Sequence, residues 1–290
     1  MVEAKIIADS LGTGDLPQRL TTIQIKYHRF VLAEFNTHRM FSRNTSSSRA
    51  IPVKTLMKRM NENPAIPVKW GINTKGMQAA EFYTDPEDIA ALEADWLELR
   101  DIVQAFVQER FLDKWNLHKQ IANRPLESWM YTYQVVTATE WDNFMNLRCH
   151  PDAQPEINAI ATEMRRVLEA SEPEILEPCD WHLPYVEEED VMAAWDLITH
   201  EPDDCELQVL QLLQKVSTAR CARVSYKTHD GQTPSFESDV KLHDMLLASG
   251  HMSPFEHAAK WIDSPNMYGN FRGFKQYRKF LPGEAVFTGN

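Results

Sequence analysis

The chain has 290 residues, 43% of them hydrophobic, which is enough to bury a sizeable core. Its formal net charge of −12 argues against general nucleic-acid binding, because non-specific contact with phosphate backbones needs an accumulated positive surface. The four cysteines lie far apart without a Cys-x-x-Cys pair, which argues against a zinc or dithiol redox centre and favours reduced structural thiols. The sequence has no apolar run of about 18 residues and no N-terminal signal pattern, so we expect a soluble cytoplasmic protein.

The N-terminal part begins with a clear strand pattern. Apolar residues alternate with polar or charged ones over 20–27, which predicts a half-buried strand. We expect a short helix over 28–35 to follow. Residues 50–86 are rich in proline and glycine, which predicts an irregular insert over 52–86. Within this insert, Trp70-Gly71 could form either a ligand lid or a packed surface loop.

Helical patterns dominate the remainder of the chain. Asp85 is a helix cap, and an apolar stripe at spacings of three and four follows it to Phe106. The acidic residues at 187–190 are typical of a first helical turn, where the helix dipole favours negative charge. Further helices are predicted over 128–147, from 155 onwards, around 207–213, and over 240–249 with a stop at Gly250. Without a repeat or a linker, we expect one interwoven catalytic domain over residues 1–290.

The segment 37–49 is the first candidate for chemistry. Its sequence, THRMFSRNTSSSR, contains three arginines, one histidine and six hydroxyl residues. Guanidinium groups and short hydroxyl donors suit a phosphate, and small side chains let backbone N–H groups approach it closely. The alternative is a solvated loop rich in serine and arginine.

A second candidate is NFMNLR at 143–148, followed by Ala153-Gln154 and Glu156-Ile157. An arginine at the end of a buried face requires an anionic or carbonyl partner. The alternative is simple packing, with four residues on one face of a helix, namely Thr137, Trp141, Phe144 and Arg148.

The third candidate comprises ARVSY at 222–226 and GHMSPFEH at 250–257. The pair His251 and His257 is weak evidence for a metal by itself, and we expect no metal site. The tail at 260–290 interleaves aromatic and basic residues, so it could stack on a base, a pterin or a flavin. It could equally form an exposed basic helix face.

These three blocks together resemble the flavin-dependent thymidylate synthases. The first block keeps the spacing of the family's arginine–histidine–serine signature, and the residues that match it are His38, Arg39, Ser42, Asn44, Ser47 and Arg49. The chain departs from the family pattern at Glu34, Thr37, Thr45 and Asp152. In ordinary members the third block precedes the first, so the resemblance implies a circularly permuted order, which is feasible where termini lie close together at the surface.

The resemblance implies an α+β fold with a curved mixed or antiparallel sheet flanked by helices, like that of thymidylate synthase complementing proteins. It implies a homotetramer with shared sites, in which FAD, NADPH and methylenetetrahydrofolate serve the conversion of dUMP to dTMP. The catalytic residues it implies are Arg148, which would polarise the base, and Ser47. The implied flavin contacts are His38, Arg39, Asn44, Asn143, Ser225 and Ser253. The implied nucleotide contacts are Glu34, Ser47, Ser48, Arg49, Arg148 and Glu256.

Two alternatives to this function stay open. Because Thr45 stands where the family has a carboxylate, the chain could instead be a flavin- and folate-dependent pyrimidine hydroxymethylase. It could also be a non-catalytic relative that binds a nucleotide or, less readily given its acidity, a nucleic acid.

Overall fold

The computed structural model describes residues 1–198, 205–224, 234–282 and 284. A five-stranded sheet with the strand order β3-β4-β2-β1-β5 forms its centre. Neighbouring strands are antiparallel except β1 and β5, which pair in parallel. This mixed, mainly antiparallel sheet with helices packed around it confirms the α+β prediction.

The strands, numbered in chain order, are β1 (Glu3–Gly12), β2 (Gln18–His28), β3 (Ser42–Thr45), β4 (Tyr131–Ala138), β5 (Glu174–Leu176), β6 (Trp181–His182), β7 (Ala259–Trp261), β8 (Met267–Tyr268), β9 (Phe271–Arg272) and β10 (Phe274–Gln276). The α-helices are α1 (Leu32–Phe35), α2 (Val53–Glu62), α3 (Pro86–Phe106), α4 (Lys119–Ala122), α5 (Asp142–Arg148), α6 (Pro155–Glu169), α7 (Glu188–Leu197), α8 (Cys205–Arg223) and α9 (Phe236–Ala248). A π-helical stretch continues α3 over Val107–Lys114. None of the described helices is long and apolar enough to cross a membrane.

Strand β2 has two distinct faces. Ile23, Ile25 and Tyr27 are fully buried on one face, where they pack in the same core as Ile157 and Met164 of α6. The alternating pattern of residues 20–27 therefore predicted this strand correctly, and α6 begins at Pro155 as expected. The opposite face carries the even-numbered residues of β2, because successive side chains of a strand point to opposite sides.

The helix predicted over 128–147 is wrong. The segment forms strand β4 and then, after a short turn, helix α5. Strand β4 contains Val135, Val136 and two threonines, and such β-branched side chains favour a sheet. Thr137 therefore lies on a strand and cannot share a helical face with Phe144 and Arg148.

The expectation of irregular structure over 52–86 is also partly wrong, because α2 lies inside it. Proline precedes α2 at its N-cap position, where its missing N–H costs nothing. Leu56 and Met60 bury one face of α2 in the same core as Trp129. Beyond α2, the Trp70 ring lies edge-on to Trp96 with ring centroids 6.2 Å apart, as expected for a packed loop.

Several helix ends agree with the sequence signals. The Asp85 carboxylate accepts the backbone N–H of residue 87 and caps α3, and the acidic run at 187–190 builds a capping box at the start of α7. Helix α9 ends two residues before Gly250, whose φ of +70° is the left-handed conformation that favours glycine.

The described part of the tail does not form an exposed basic helix face. Within its described part, strands β7 and β10 pair with each other, and Phe271 and Phe274 are fully buried beside Trp261. The aromatic residues of the tail therefore serve as core, with basic residues between them.

Candidate functional site

Strand β3 carries the centre of the first sequence block at the edge of the main sheet. Its pairing with β4 places Asn44 opposite Val135, and Thr45 opposite Gln134. Ser42 and Asn44 are buried on one face of the sheet, whereas Arg43 and Thr45 are half-buried on the other. The signature is therefore divided between two faces.

Thr45 forms part of a polar chain inside the protein. Its hydroxyl accepts a hydrogen bond from Gln134 Nε2 at 2.6 Å, and Gln134 Oε1 accepts one from the Tyr27 hydroxyl at 2.8 Å. Burial raises the pKa of Tyr27 well above its usual value, so the phenol stays protonated. The hydroxyl of Thr45, which stands where the family pattern has a carboxylate, is thus hydrogen-bonded inside the protein.

His38 and Arg148 meet although 110 positions separate them in the sequence. Arg148 Nε donates to His38 Nε2 at 3.0 Å. The imidazole stands edge-on against Phe144, with ring centroids 4.8 Å apart, and Phe144 itself is buried. The two residues come from the first and second sequence blocks, so the fold brings these blocks together.

The electrostatics of this contact require a neutral imidazole. Burial, with smaller contributions from Arg148 and Arg43, lowers the pKa of His38 from 6.5 to about 4. A neutral Nε2 can accept the guanidinium N–H, whereas a protonated one could not. At neutral pH, His38 therefore accepts a hydrogen bond from Arg148 and so orients its guanidinium group.

Five of the other predicted site residues are exposed to solvent, namely Glu34, Arg39, Arg49, Asn143 and Ser253. Arg39 and Asn143 are the chain neighbours of His38 and Phe144. The indole Nε1 of Trp141, close in sequence, is buried without a hydrogen-bond partner. This set of donors fits the polar edge and the phosphates of a flavin, which His38, Arg39 and Asn143 would hold.

Ser47 and Ser48 differ in their surroundings. Ser48 is buried, and its hydroxyl donates to Glu127 Oε1 at 2.9 Å. Ser47 is half-buried and begins a short 3-10 turn over Ser48–Ala50. The side chain of Ser48 is thus engaged within the fold.

The C-terminal block touches β3 directly. Ser42 donates to Glu256 Oε2 at 3.0 Å, and Arg278 donates to Glu256 Oε1 at 2.6 Å. Gln276 Nε2 also donates to the Ser42 hydroxyl, at 3.0 Å. Sequence reasoning missed Gln276 and Arg278, and the only available signal was the basic and aromatic pattern of the tail.

Three further predicted flavin contacts, Ser225, Ser253 and Asn44, belong to the third block or lie close to it in sequence or space. Ser253 is exposed, and Ser225 lies outside the described residues. Asn44 is buried, and its amide donates to the carbonyl of Cys221 at 3.2 Å. Asn44 thereby connects β3 to the end of α8.

A buried series of hydrogen-bonded hydroxyl and imidazole groups connects the third block to the central sheet. It runs through Ser10, His182, Thr22, Thr137 and His257, with successive contacts of 2.7 to 2.8 Å. Burial lowers the pKa of both histidines to about 3, so both are neutral in the folded protein. His257 therefore acts here as a buried polar link.

Comparisons with known proteins agree with the sequence resemblance. A family model described as thymidylate synthase complementing protein matches residues 18–174. Two solved structures of the UMP/dUMP methylase PolB from Streptomyces cacaoi are similar to this chain. The one bound with 5-Br dUMP has 15% sequence identity and a TM-score of 0.47, covering 59% of this chain and 90% of PolB. The one bound with 5-Br UMP has 14% identity and a TM-score of 0.45, covering 59% and 89%. No curated protein matches the chain.

Proposed function

Because the chain belongs to the thymidylate synthase complementing protein family, we propose that it is a flavin-dependent thymidylate synthase. The proposed reaction is the reductive methylation of dUMP to dTMP with methylenetetrahydrofolate and NADPH. The carbon unit joins C5 of the uracil ring as its bonds to the folate nitrogens break and tetrahydrofolate leaves; the C5 proton is lost, and one hydride completes the methyl group. FAD, reduced by NADPH, supplies that hydride when it is bound.

The observation that supports this proposal best is the contact between His38 and Arg148. Two residues that the family signature places in separate blocks meet at 3.0 Å in a half-buried position. Because His38 is neutral, the guanidinium charge of Arg148 is not cancelled by its partner. An uncancelled cation can stabilise negative charge that develops on a uracil carbonyl.

The remaining residues have proposed roles that follow their exposure. Arg49 and Ser47 bind the nucleotide phosphate, and Arg39 and Asn143 bind the flavin. Ser48 contributes through its main chain, because its hydroxyl is bonded to Glu127. The third block completes the site, with Ser253 beside the flavin and Glu256 beside the nucleotide. Glu34, which precedes the first block, also contacts the nucleotide.

The exposure of these groups also supports shared sites. Arg39, Arg49 and Asn143 are exposed in the single chain. Catalysis of this kind requires the exclusion of water from the reacting groups. We therefore propose a homotetramer in which a neighbouring subunit covers each site.

The test is direct product analysis. Purified protein incubated with FAD, dUMP, NADPH and methylenetetrahydrofolate labelled in its carbon unit should yield labelled dTMP. Arg148→Ala should reduce kcat/KM by at least about a hundredfold, because a charged hydrogen bond in the transition state is lost. Arg166→Ala is the matched control, since Arg166 is an exposed arginine on α6 whose ion pair with Glu163 lies on the surface. Equal activity of the wild-type protein and the Arg148→Ala variant would contradict the proposal.

The same experiment separates the alternatives. A labelled 5-hydroxymethyl product would favour the hydroxymethylase, for which the hydroxyl of Thr45 in place of a carboxylate is the supporting observation. A preparation that never binds FAD and forms no product would favour a non-catalytic nucleotide-binding protein.

A further inference from the structure

The C-terminal tail contacts the candidate site from a side that none of the three sequence blocks supplies. Strand β10 pairs with β7, and the N–H of Tyr277, just after β10, donates to the carbonyl of Ala258 at 2.8 Å. Ala258 lies only two residues beyond Glu256. The short 3-10 turn that begins at Tyr277 carries Arg278. These backbone bonds therefore hold the tail beside Glu256.

Two amide side chains of the tail converge on the hydroxyl of Ser42. Gln276 Nε2 donates to Ser42 Oγ at 3.0 Å and to Asn270 Oδ1 at 2.7 Å. Asn270 Nδ2 donates to Ser42 Oγ at 3.1 Å and to the carbonyl of Met40 at 3.0 Å. Each amide thus uses both of its side-chain N–H groups, and both lone pairs of the Ser42 oxygen are occupied.

This arrangement fixes the direction of the hydrogen bond between Ser42 and Glu256. The Ser42 hydroxyl has one proton and two acceptors within reach, Asn270 Oδ1 at 3.2 Å and Glu256 Oε2 at 3.0 Å. Asn270 Oδ1 already accepts the shorter bond from Gln276, and a carboxylate is the stronger acceptor of the two. The Ser42 proton is therefore donated to Glu256. Ser42 and Gln276 are both buried, so water does not compete for these bonds.

The carboxylate of Glu256 is held at both oxygens but keeps free acceptor sites. Arg278 Nη1 donates to Oε1 at 2.6 Å, and Ser42 donates to Oε2. A carboxylate offers about four lone-pair sites, so about two remain. No other group in the described part of the chain donates to this carboxylate, and 22% of the side chain stays exposed.

The free sites of Glu256 can only accept hydrogen bonds. They suit an O–H or N–H group of a ligand and exclude a phosphate, whose oxygens are also acceptors of negative charge. Arg278 offsets the charge of the carboxylate, which reduces its repulsion of a phosphate elsewhere on the same ligand. In dUMP the donor groups are the sugar hydroxyl and the N3–H of the base.

We propose that Glu256 accepts a hydrogen bond from the sugar or the base of the nucleotide, and that Arg278, Gln276 and Asn270 are positioning residues that hold its carboxylate for this contact. This inference rests on the proposed function, because it takes the nucleotide as the ligand. It gives the polar residues of the tail a role that the resemblance does not assign.

The first experiment measures the dissociation constant of dUMP by equilibrium dialysis against the full-length protein. Arg278→Gln should raise this constant about tenfold, because the hydrogen bond to Glu256 Oε1 loses its charge. Arg278→Lys keeps the charge and should restore the constant to within about threefold of the wild type. In the synthase assay, Arg278→Gln should raise the KM for dUMP and change kcat less than about twofold, since Arg278 is placed to act on binding alone. A merely structural role would instead reduce the number of binding sites per chain and leave the dissociation constant unchanged.

Two control variants separate orientation of Glu256 from docking of the tail. Arg272→Gln is the matched control, because Arg272 lies in the same tail and pairs with Glu140 at 2.8 Å, and neither residue belongs to the candidate site. Glu284→Gln removes the second partner of Arg278, whose Nε lies 2.9 Å from Glu284, and keeps the Glu256 contact. Both controls should bind dUMP within about twofold of the wild type. If Glu284→Gln weakens binding as much as Arg278→Gln, docking of the tail is responsible and the proposal is wrong.

Gln276→Met tests the amide side of the network. Methionine has a similar length but no donor, so Ser42 can turn its proton from Glu256 to Asn270. We expect the dissociation constant of dUMP to rise about threefold or more. An unchanged constant would remove Gln276 from the positioning residues.

Two analogues of dUMP identify the donor group that Glu256 accepts. The dideoxy analogue lacks the sugar hydroxyl, and the analogue methylated on the base nitrogen N3 lacks the base N–H. For the analogue that lacks the contacted donor, Arg278→Gln should change the dissociation constant less than about twofold, whereas the tenfold effect should persist for the other. An equal effect of Arg278→Gln on dUMP and on both analogues would overturn the proposal.

The outcomes distinguish this inference from the synthase proposal. If dTMP is formed and Arg278→Gln binds dUMP as tightly as the wild type, only this inference is wrong. If dUMP binds but no dTMP is formed, the synthase proposal is wrong, and the dissociation constants still test the role of Arg278. If the wild type does not bind dUMP, both are wrong.

Discussion

Protonation of His38 should break the contact that orients Arg148. The imidazole accepts the Arg148 Nε–H at 3.0 Å and is half-buried, with a pKa lowered to about 4 by burial and by the neighbouring cations. In the unfolded chain its pKa returns to the ordinary 6.5. Between pH 6.5 and about 4, the unfolded state therefore binds a proton at His38 that the folded state does not bind. Because of this difference, the free energy of unfolding must decrease as the pH is lowered through this window.

The size of this effect follows from the pKa difference. A fall of the His38 pKa from 6.5 to about 4 sets a ceiling of roughly 3–4 kcal/mol, at about 1.4 kcal/mol per pKa unit. His38 is only half-buried, and solvent screening reduces the expected loss to about 1 kcal/mol. Above pH 6.5 the contribution is zero, because neither state holds the proton.

His38→Gln isolates this contribution. The amide oxygen of glutamine can still accept from Arg148 but cannot titrate. We expect urea unfolding at pH 7 and pH 4 to show that lowering the pH reduces the free energy of unfolding of the wild type by about 1 kcal/mol more than that of the variant. The other buried histidines are present in both proteins, so their effects cancel in the difference. A difference that stays constant from pH 7 to pH 4, or an NMR titration of His38 with a midpoint near 6.5, would refute the reasoning.

Two further predictions concern buried charge and thiol reactivity. Arg220→Met should lower the free energy of unfolding by about 3–5 kcal/mol, because Arg220 bridges Asp190 at 2.5 Å and Asp239 at 2.9 Å and all three side chains are buried; unchanged urea unfolding would show that the charges are not desolvated. A thiol reagent should label the exposed Cys179 in the native protein, whereas Cys221, which is buried and has a raised thiol pKa, should react only after unfolding. Equal labelling rates for the two thiols would contradict the described burial of Cys221.

The sequence predicted the fold best where a single periodicity was unambiguous. Alternation over 20–27 predicted β2, and the three-and-four spacing after Asp85 predicted α3. The helix prediction over 128–147 failed because a largely buried strand such as β4 shows a nearly continuous apolar and β-branched run that also suits a helix. Only the pairing of β4 with β2 on one side and β3 on the other decides between these readings, and such pairing is not local information.

The candidate site shows the same limit at the level of single residues. The resemblance indicated His38 and Arg148, and the fold brings them into contact. It gave no reason to expect Gln276 or Arg278, which reach Ser42 and Glu256 from the tail. The contact between Gln276 and Ser42 spans 234 positions, so no spacing rule could reveal it.

The alternation of β3 explains why one short segment can make contacts on both faces of the sheet. Arg43 and Thr45 project to the face where Tyr27, Gln134 and the His38 region lie, and a strand must then send Ser42 and Asn44 to the opposite face. On that opposite face Ser42 binds the C-terminal block. A change of residue on β3 therefore acts on one face only, so Thr45 can depart from the family pattern without disturbing Ser42 and its contacts.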